Sequence, residues 1–204
     1  MTQAIRNLAE AIDVLAENPG RYLDRECALS LGAFLVGYKM ADASAATPTR
    51  ALLERISGPS GANGCTRAFL ARGGGAEGLR YAIDELREIL AATKSSPIPG
   101  SMSGTPPIEH VRTALASGRI GMYFGEPTIM WVSSYVHGFL FGLSAVDPSA
   151  WARENERLNR FEQALRARYG HARPAWHELI RAFHGACEEG LERFVALWDE
   201  VQAS

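Results

Sequence analysis

Met122-Tyr123-Phe124-Gly125-Glu126-Pro127 leads into Thr128 to Leu143, a run of sixteen residues without a charge. A second stretch repeats its plan. Arg21-Tyr22-Leu23-Asp24 leads into Cys27 to Met40, nearly all apolar or small. The order tyrosine, aromatic-rich run, glycine recurs, with fifteen residues from Tyr22 to Gly37 and fifteen from Tyr123 to Gly138. The offset between the copies is 101 residues, about half of the 204-residue chain. Ile129, Val132, Val136, Leu140 and Leu143 fall at steps of three and four, the spacing of one helix face. The opposite face, Met130, Ser134, His137 and Phe141, is not strongly polar either. A helix apolar all round is buried on most sides. Sixteen uncharged residues fall short of the ~20 that span a bilayer, and a matching segment in the other half makes this a core helix. Gly37 and Gly138 lie inside these helices, where glycine costs about 1 kcal/mol relative to alanine. Close approach of the two helices at the glycines would offset that cost.

Outward from the repeat, every readable segment is helical. Thr2 to Glu17 carries Ile5, Leu8, Ile12 and Leu15 on one stripe and stops at Asn18-Pro19-Gly20. Further helices are expected from about Arg25 to Ala43, Thr49 to Ile56, Thr66 to Arg72 and Ala76 to Ala92. The segment from Thr93 to Pro107, with four prolines and two glycines, reads as a linker. Beyond it, helices are expected from Pro107 to Ser117, Pro127 to Leu143, Asp147 to Tyr169, Pro174 to Phe183 and Ala186 to Val201. Glu77-Gly78-Leu79 near the end of one half matches Glu189-Gly190-Leu191 near the end of the other. No strand pattern appears. The expected fold is all-α: a duplicated helical domain, residues 1–92 and 108–204 as similar halves joined by the 93–107 linker, packed with pseudo-two-fold symmetry.

Composition narrows the function classes. Formal charge is −2, with 11 basic and 11 acidic residues in positions 1–100 and 10 and 12 in positions 101–204. Neither half is a basic nucleic-acid surface. Three cysteines, Cys27, Cys65 and Cys187, share no metal-ligand spacing; the expectation is a buried Cys27 and a reducing, cytoplasmic setting. The N-terminal residues show no basic-then-apolar pattern of a signal peptide, so no membrane partner is expected.

No catalytic, cofactor or metal constellation stands out. His177-Glu178-Leu179-Ile180-Arg181 opens like a zinc-protease helix but has Arg181 where the second histidine belongs. His177, His184 and Glu188 could share a metal, though a solvated helix face is the simpler reading. The glycines at 58–64 and 73–75 lack the strand and Gly-Lys-Ser/Thr of a phosphate loop. Ser133 and Ser134, near His137, have no nucleophile-elbow context. His137 reads as a core histidine, and Tyr22 and Tyr123 as packed rings with bonded hydroxyls.

All four tryptophans and all five histidines lie after residue 107, so one half is expected to carry the binding surface. Tryptophan, tyrosine and arginine dominate protein-binding hot spots. On that ground Trp151, Arg153, Arg157, Tyr169, Trp176 and His177 are the candidate partner-binding residues. Arg119-Ile-Gly-Met-Tyr-Phe-Gly-Glu-Pro127 and the closing Glu189-Gly-Leu-x-x-Phe-Val-x-Leu-Trp198 resemble small helical bacterial proteins with an Arg-Pro-x-Met-Tyr-aliphatic-Gly opening. These are similar to immunity proteins of polymorphic-toxin systems. Ile120 stands where that motif has proline, and Asp24 stands in the first copy where the second has Gly125. The resemblance implies tight, non-catalytic binding of a toxin domain, with a homodimer as another assembly. The different class to weigh is a helical enzyme or small-molecule binder with a pocket between the halves, marked by a deep polar pocket at His137, His177 or His184.

Overall fold

The computed structural model describes residues 6–23, 27–57, 75–92, 106–118 and 128–203. They are helical, with no strand among them. In chain order the helices are α1 (Leu8–Glu17), α2 (Pro19–Tyr22), α3 (Ala28–Ala41), α4 (Ala46–Ser57), α5 (Ala76–Ala92), α6 (Pro107–Ala116), α7 (Ile129–Val146), α8 (Pro148–Tyr169), α9 (Trp176–His184) and α10 (Glu188–Ala203), with a 3-10 turn at Ala43–Ala45. The expected helix at 66–72, the motif at 119–127 and most of the 93–107 linker lie outside the described residues.

Local chemistry sets the ends. Asn7 accepts from the Glu10 N–H at 3.0 Å and starts α1. Pro19 does not merely end α1; it takes the first position of the short α2, where its missing N–H has no helical partner to lose. Thr128 accepts from the Trp131 N–H at 3.3 Å and opens α7. Asp147 accepts from the Ala150 N–H at 2.9 Å ahead of Pro148, and Gly170 closes α8 in the left-handed region at φ 71°.

The fold is organised by the crossing of α3 and α7. Both have almost no polar face, and Leu31, Phe34, Leu35, Tyr38, Val132, Tyr135 and Val136 are all buried. At the crossing, a β-carbon on Gly37 would overlap the Tyr135 carbonyl oxygen and stand 2.9 Å from the Phe139 nitrogen. A β-carbon on Gly138 would overlap the Phe34 carbonyl oxygen in the same way. Only glycine permits backbones to approach this closely, which answers the expectation of helix contact at both positions. By length and mean hydropathy α7 could span a membrane, but 83% of its span is buried inside the fold.

Two apolar clusters flank the crossing. One gathers α1, α3, α4 and α5 around Ile12, Leu15, Phe34, Leu52 and Leu86, and takes in Phe141 from α7. The other gathers α6, α7, α8, α9 and α10, and takes in Ala33 from α3. Its centre is aromatic: Trp176 stacks on Phe194 at 4.8 Å, and Phe161 meets Phe194 edge-on at 5.6 Å and Trp198 at a tilt at 5.2 Å. Such ring pairs add about 0.5–1.5 kcal/mol each beyond their buried area.

Candidate functional site

A cavity of about 430 Å³ opens where α2, α7, α8 and α9 meet. That volume lies in the range of small-molecule sites. Helix α8 supplies one face at near-regular steps: Trp151, Asn155, Leu158, Asn159, Glu162 and Arg166. Helix α7 supplies His137, Leu140, Phe141 and Ser144, spaced three and four apart. The short α2 brings Arg21 and Tyr22, and the start of α9 brings Ala175, Trp176 and His177.

The two histidines sit together. His177 shares a 2.9 Å hydrogen bond with Ser133 Oγ through Nδ1, tying α9 to α7. Burial pushes its imidazole down to about 3, and His137 and Arg181 add to the effect. Burial likewise pushes His137 down to about 4; the Ser133 backbone beside it opposes the drop, and the Arg21 charge adds to it. Both rings are therefore neutral at pH 7. His137 Nδ1 is buried and has no hydrogen-bond partner among the described residues. The Tyr22 ring meets His137 edge-on at 6.2 Å and Phe141 at 4.8 Å. The Trp176 indole N–H is also buried without a partner among the described residues.

Glu162 and Arg166 form an ion pair one turn apart on α8, and Arg166 Nε donates to the Pro174 carbonyl at 3.2 Å. Burial raises the Glu162 carboxyl, and the Arg166 charge opposes that rise. The Ser133–His177 pair has the elements of an activated nucleophile, but Ser133 is 1% exposed within α7, so no substrate reaches its hydroxyl. Among the described residues no three His, Cys, Asp or Glu side chains are placed to hold a metal ion.

The six sequence-derived partner-binding residues do not form one surface. Trp151, Trp176 and His177 come together on the cavity wall. Trp176 is 1% exposed and belongs to the aromatic core. Arg157 braces α8 against α10 through Gln202 at 3.2 Å, and its guanidinium lies 5.6 Å from the Trp198 ring centre. Arg153 is exposed on α8. Tyr169, at the other end of α8, bonds His184 Nε2 through its hydroxyl at 2.6 Å and stacks on Phe183 at 4.4 Å. His177 is half-buried rather than on the solvated face its spacing suggested, because α9 turns it toward α7. Cys27, expected to be buried, is half-buried, with Sγ 3.5 Å from Ser30 Oγ.

Sequence reasoning passed over Arg21, Asn155, Asn159, Glu162 and Arg166 as site residues. One signal was present. Asparagines favour caps and turns over helix interiors, yet Asn155 and Asn159 stand one turn apart in the middle of a long helix, one turn beyond Trp151. No protein-family model, curated protein or solved structure matches this chain.

Proposed function

We propose that this chain is a non-catalytic binding protein that takes a small molecule into the cavity between α2, α7, α8 and α9. The observation that carries this reading is the cavity itself, about 430 Å³ and lined by polar and apolar side chains from four helices, among them Arg21, His137, Trp151, Asn155 and His177. The reading places the chain in the cytoplasm, with no metal or redox cofactor. It rests on a duplicated fold with pseudo-two-fold symmetry. In support, Gly37 seats on the carbonyl of Tyr135, Gly138 seats on that of Phe34, and Phe34 and Tyr135 are themselves 101 residues apart.

The test is a thermal-melting screen against a fragment library, repeated with Trp151→Ala and Asn155→Ala. Fragments that raise the melting temperature of the parent protein and lose their effect in either variant support the reading. A screen with no stabilising fragment, or with hits indifferent to both substitutions, overturns it.

A second reading keeps the protein-binding, immunity-type role. It is favoured by Phe183, which is 48% exposed and the only exposed large hydrophobic residue among those described. Phe183 lies on the half-buried Tyr169, with exposed His171 5.8 Å away, where α8 and α9 end. On this reading the patch meets a toxin domain or a second copy of the chain. Phe183→Asp would then abolish capture of the partner or dimerisation; a self-association and partner profile unchanged by that substitution counts against it.

A further inference from the structure

We infer, on the reading that the cavity is a ligand site, that its occupant is a short neutral saccharide of one or two rings, held by the planar polar side chains of α8. Small-molecule sites are mostly apolar, with a small number of polar groups. This cavity departs from that pattern. Asn155, Asn159, Glu162 and Arg166 follow one another along α8 at steps of four, three and four, and all four line it. They are accessible as well: Asn159 is exposed and the other three are half-buried. Each keeps hydrogen-bonding capacity to spare. Neither asparagine side chain has a hydrogen-bond partner among the described residues. Glu162 Oε1 accepts from Arg166, which leaves Oε2 without a partner among the described residues. Arg166 spends Nη2 on Glu162 and Nε on the Pro174 carbonyl, which leaves Nη1.

The wall of α8 therefore alternates donors with acceptors. A hydroxyl both donates and accepts, so a polyhydroxylated ring finds a partner all along it. A carboxylate or phosphate only accepts and would meet the carboxylate and amide oxygens as well as the donors. Charge agrees: Glu162 is paired with Arg166, Arg21 is exposed, and His137 and His177 are neutral at pH 7, so the inner wall holds no unpaired charge to draw an ion. Size agrees too. From Asn155 to Glu162 the helix advances roughly 10 Å at about 1.5 Å per residue, about the length of two linked sugar rings. At about 30 Å³ per water, the 430 Å³ of the cavity is the share of roughly 14 waters, which accommodates a hexose with its hydroxyls. Trp151 lines the wall one turn before Asn155 and is half-buried; the negative face of an indole attracts the C–H side of a sugar ring. Glu162 is the one carboxyl on the described walls, whereas glycoside hydrolysis takes two, so the site binds the sugar without cutting it.

The test is saturation-transfer nuclear magnetic resonance, which reads weak binding on the protons of the ligand. The probes are glucose, galactose, mannose, N-acetylglucosamine, maltose, cellobiose and lactose, with phenylacetate and uracil as an anionic and a heteroaromatic comparator. The inference expects at least one saccharide to bind saturably, tenfold or more tighter than either comparator. Asn155→Ala is expected to weaken that saccharide at least tenfold, and Asn159→Ala and Trp151→Ala at least threefold each. Alanine is the strongest helix former, so α8 persists in all three variants, and an unchanged melting curve verifies it. Saccharide binding indifferent to all three substitutions lies outside the cavity and overturns the inference. Binding of phenylacetate or uracil with no saccharide overturns it while the pocket reading stands. No response to any probe overturns it as well; the fragment screen then decides the pocket reading separately, since stabilising fragments sensitive to Trp151→Ala preserve that reading and their absence ends it.

Discussion

Gly138 rests on the carbonyl group of Phe34, so closely that a β-carbon at position 138 would stand 2.7 Å from the Phe34 carbonyl carbon and 2.9 Å from its Cα. Backbone atoms at that distance cannot swing aside as a side-chain tip can. Gly138→Ala and Gly37→Ala must therefore push α3 and α7 apart. Overpacking of this kind costs typically about 1–3 kcal/mol, and the alanine recovers about 1 kcal/mol of helix propensity. A net loss of about 1 kcal/mol, and up to about 2, is expected in denaturant titration for each. Gly142→Ala should lose less, because its nearest obstacles are the Tyr38 carbonyl oxygen at 2.6 Å and the Ala41 β-carbon at 3.0 Å.

The buried histidines make stability fall in acid. His137 is held at about 4 and His177 at about 3, both below the ~6.5 of an unfolded chain. The unfolded state therefore binds more protons between pH ~6.5 and 3–4. Stability is complete above pH ~6.5 and is lost as pH falls through that window, at up to about 1 kcal/mol per pH unit for each histidine. Groups acting on this pair are the Ser133 backbone, Arg21, Arg181 and the histidines themselves, with the Glu162–Arg166 pair across the cavity. Melting temperature measured from pH 7 to 4.5 should drop steeply in the parent and less steeply in His177→Gln and His137→Gln. Parallel curves for all three proteins would refute this assignment.

Arg112 grips Asp199 with two hydrogen bonds, at 2.8 and 2.7 Å, joining α6 to α10. The geometry is good, but the side chains are 37% and 51% exposed, and solvent screens such pairs to about 1 kcal/mol or less. Asp199→Asn should lower stability by about 0.5 kcal/mol, and the difference should shrink in 1 M salt. Trp176→Ala, by contrast, removes a fully buried ring stacked on Phe194 and should lose about 3–5 kcal/mol, which denaturant midpoints would separate clearly.

Much of the helical framework is legible in the amino-acid sequence. The expected Ala76–Ala92 helix matches α5 end to end, and Asp147-Pro148 and Gly170 mark the ends of α8. These features are local: an apolar face repeats every three or four residues, and caps act within one turn. The glycine positions are legible as well, since a costly residue inside two apolar helices needs a compensating contact.

Only the tertiary structure decided the cavity. Its walls come from four helices, from Arg21 to His177 in sequence, and their inward faces depend on the angles at which those helices cross. His177 shows the difference. Its neighbours in sequence, Glu178 and Arg181, are exposed, and the local pattern places it among them. The Ser133 hydroxyl of α7 and the burial behind it place it on a cavity wall as a neutral ring. A repeating pattern in sequence determines which residues can form a helix; the desolvation that tunes a side chain depends on what other helices bring against it.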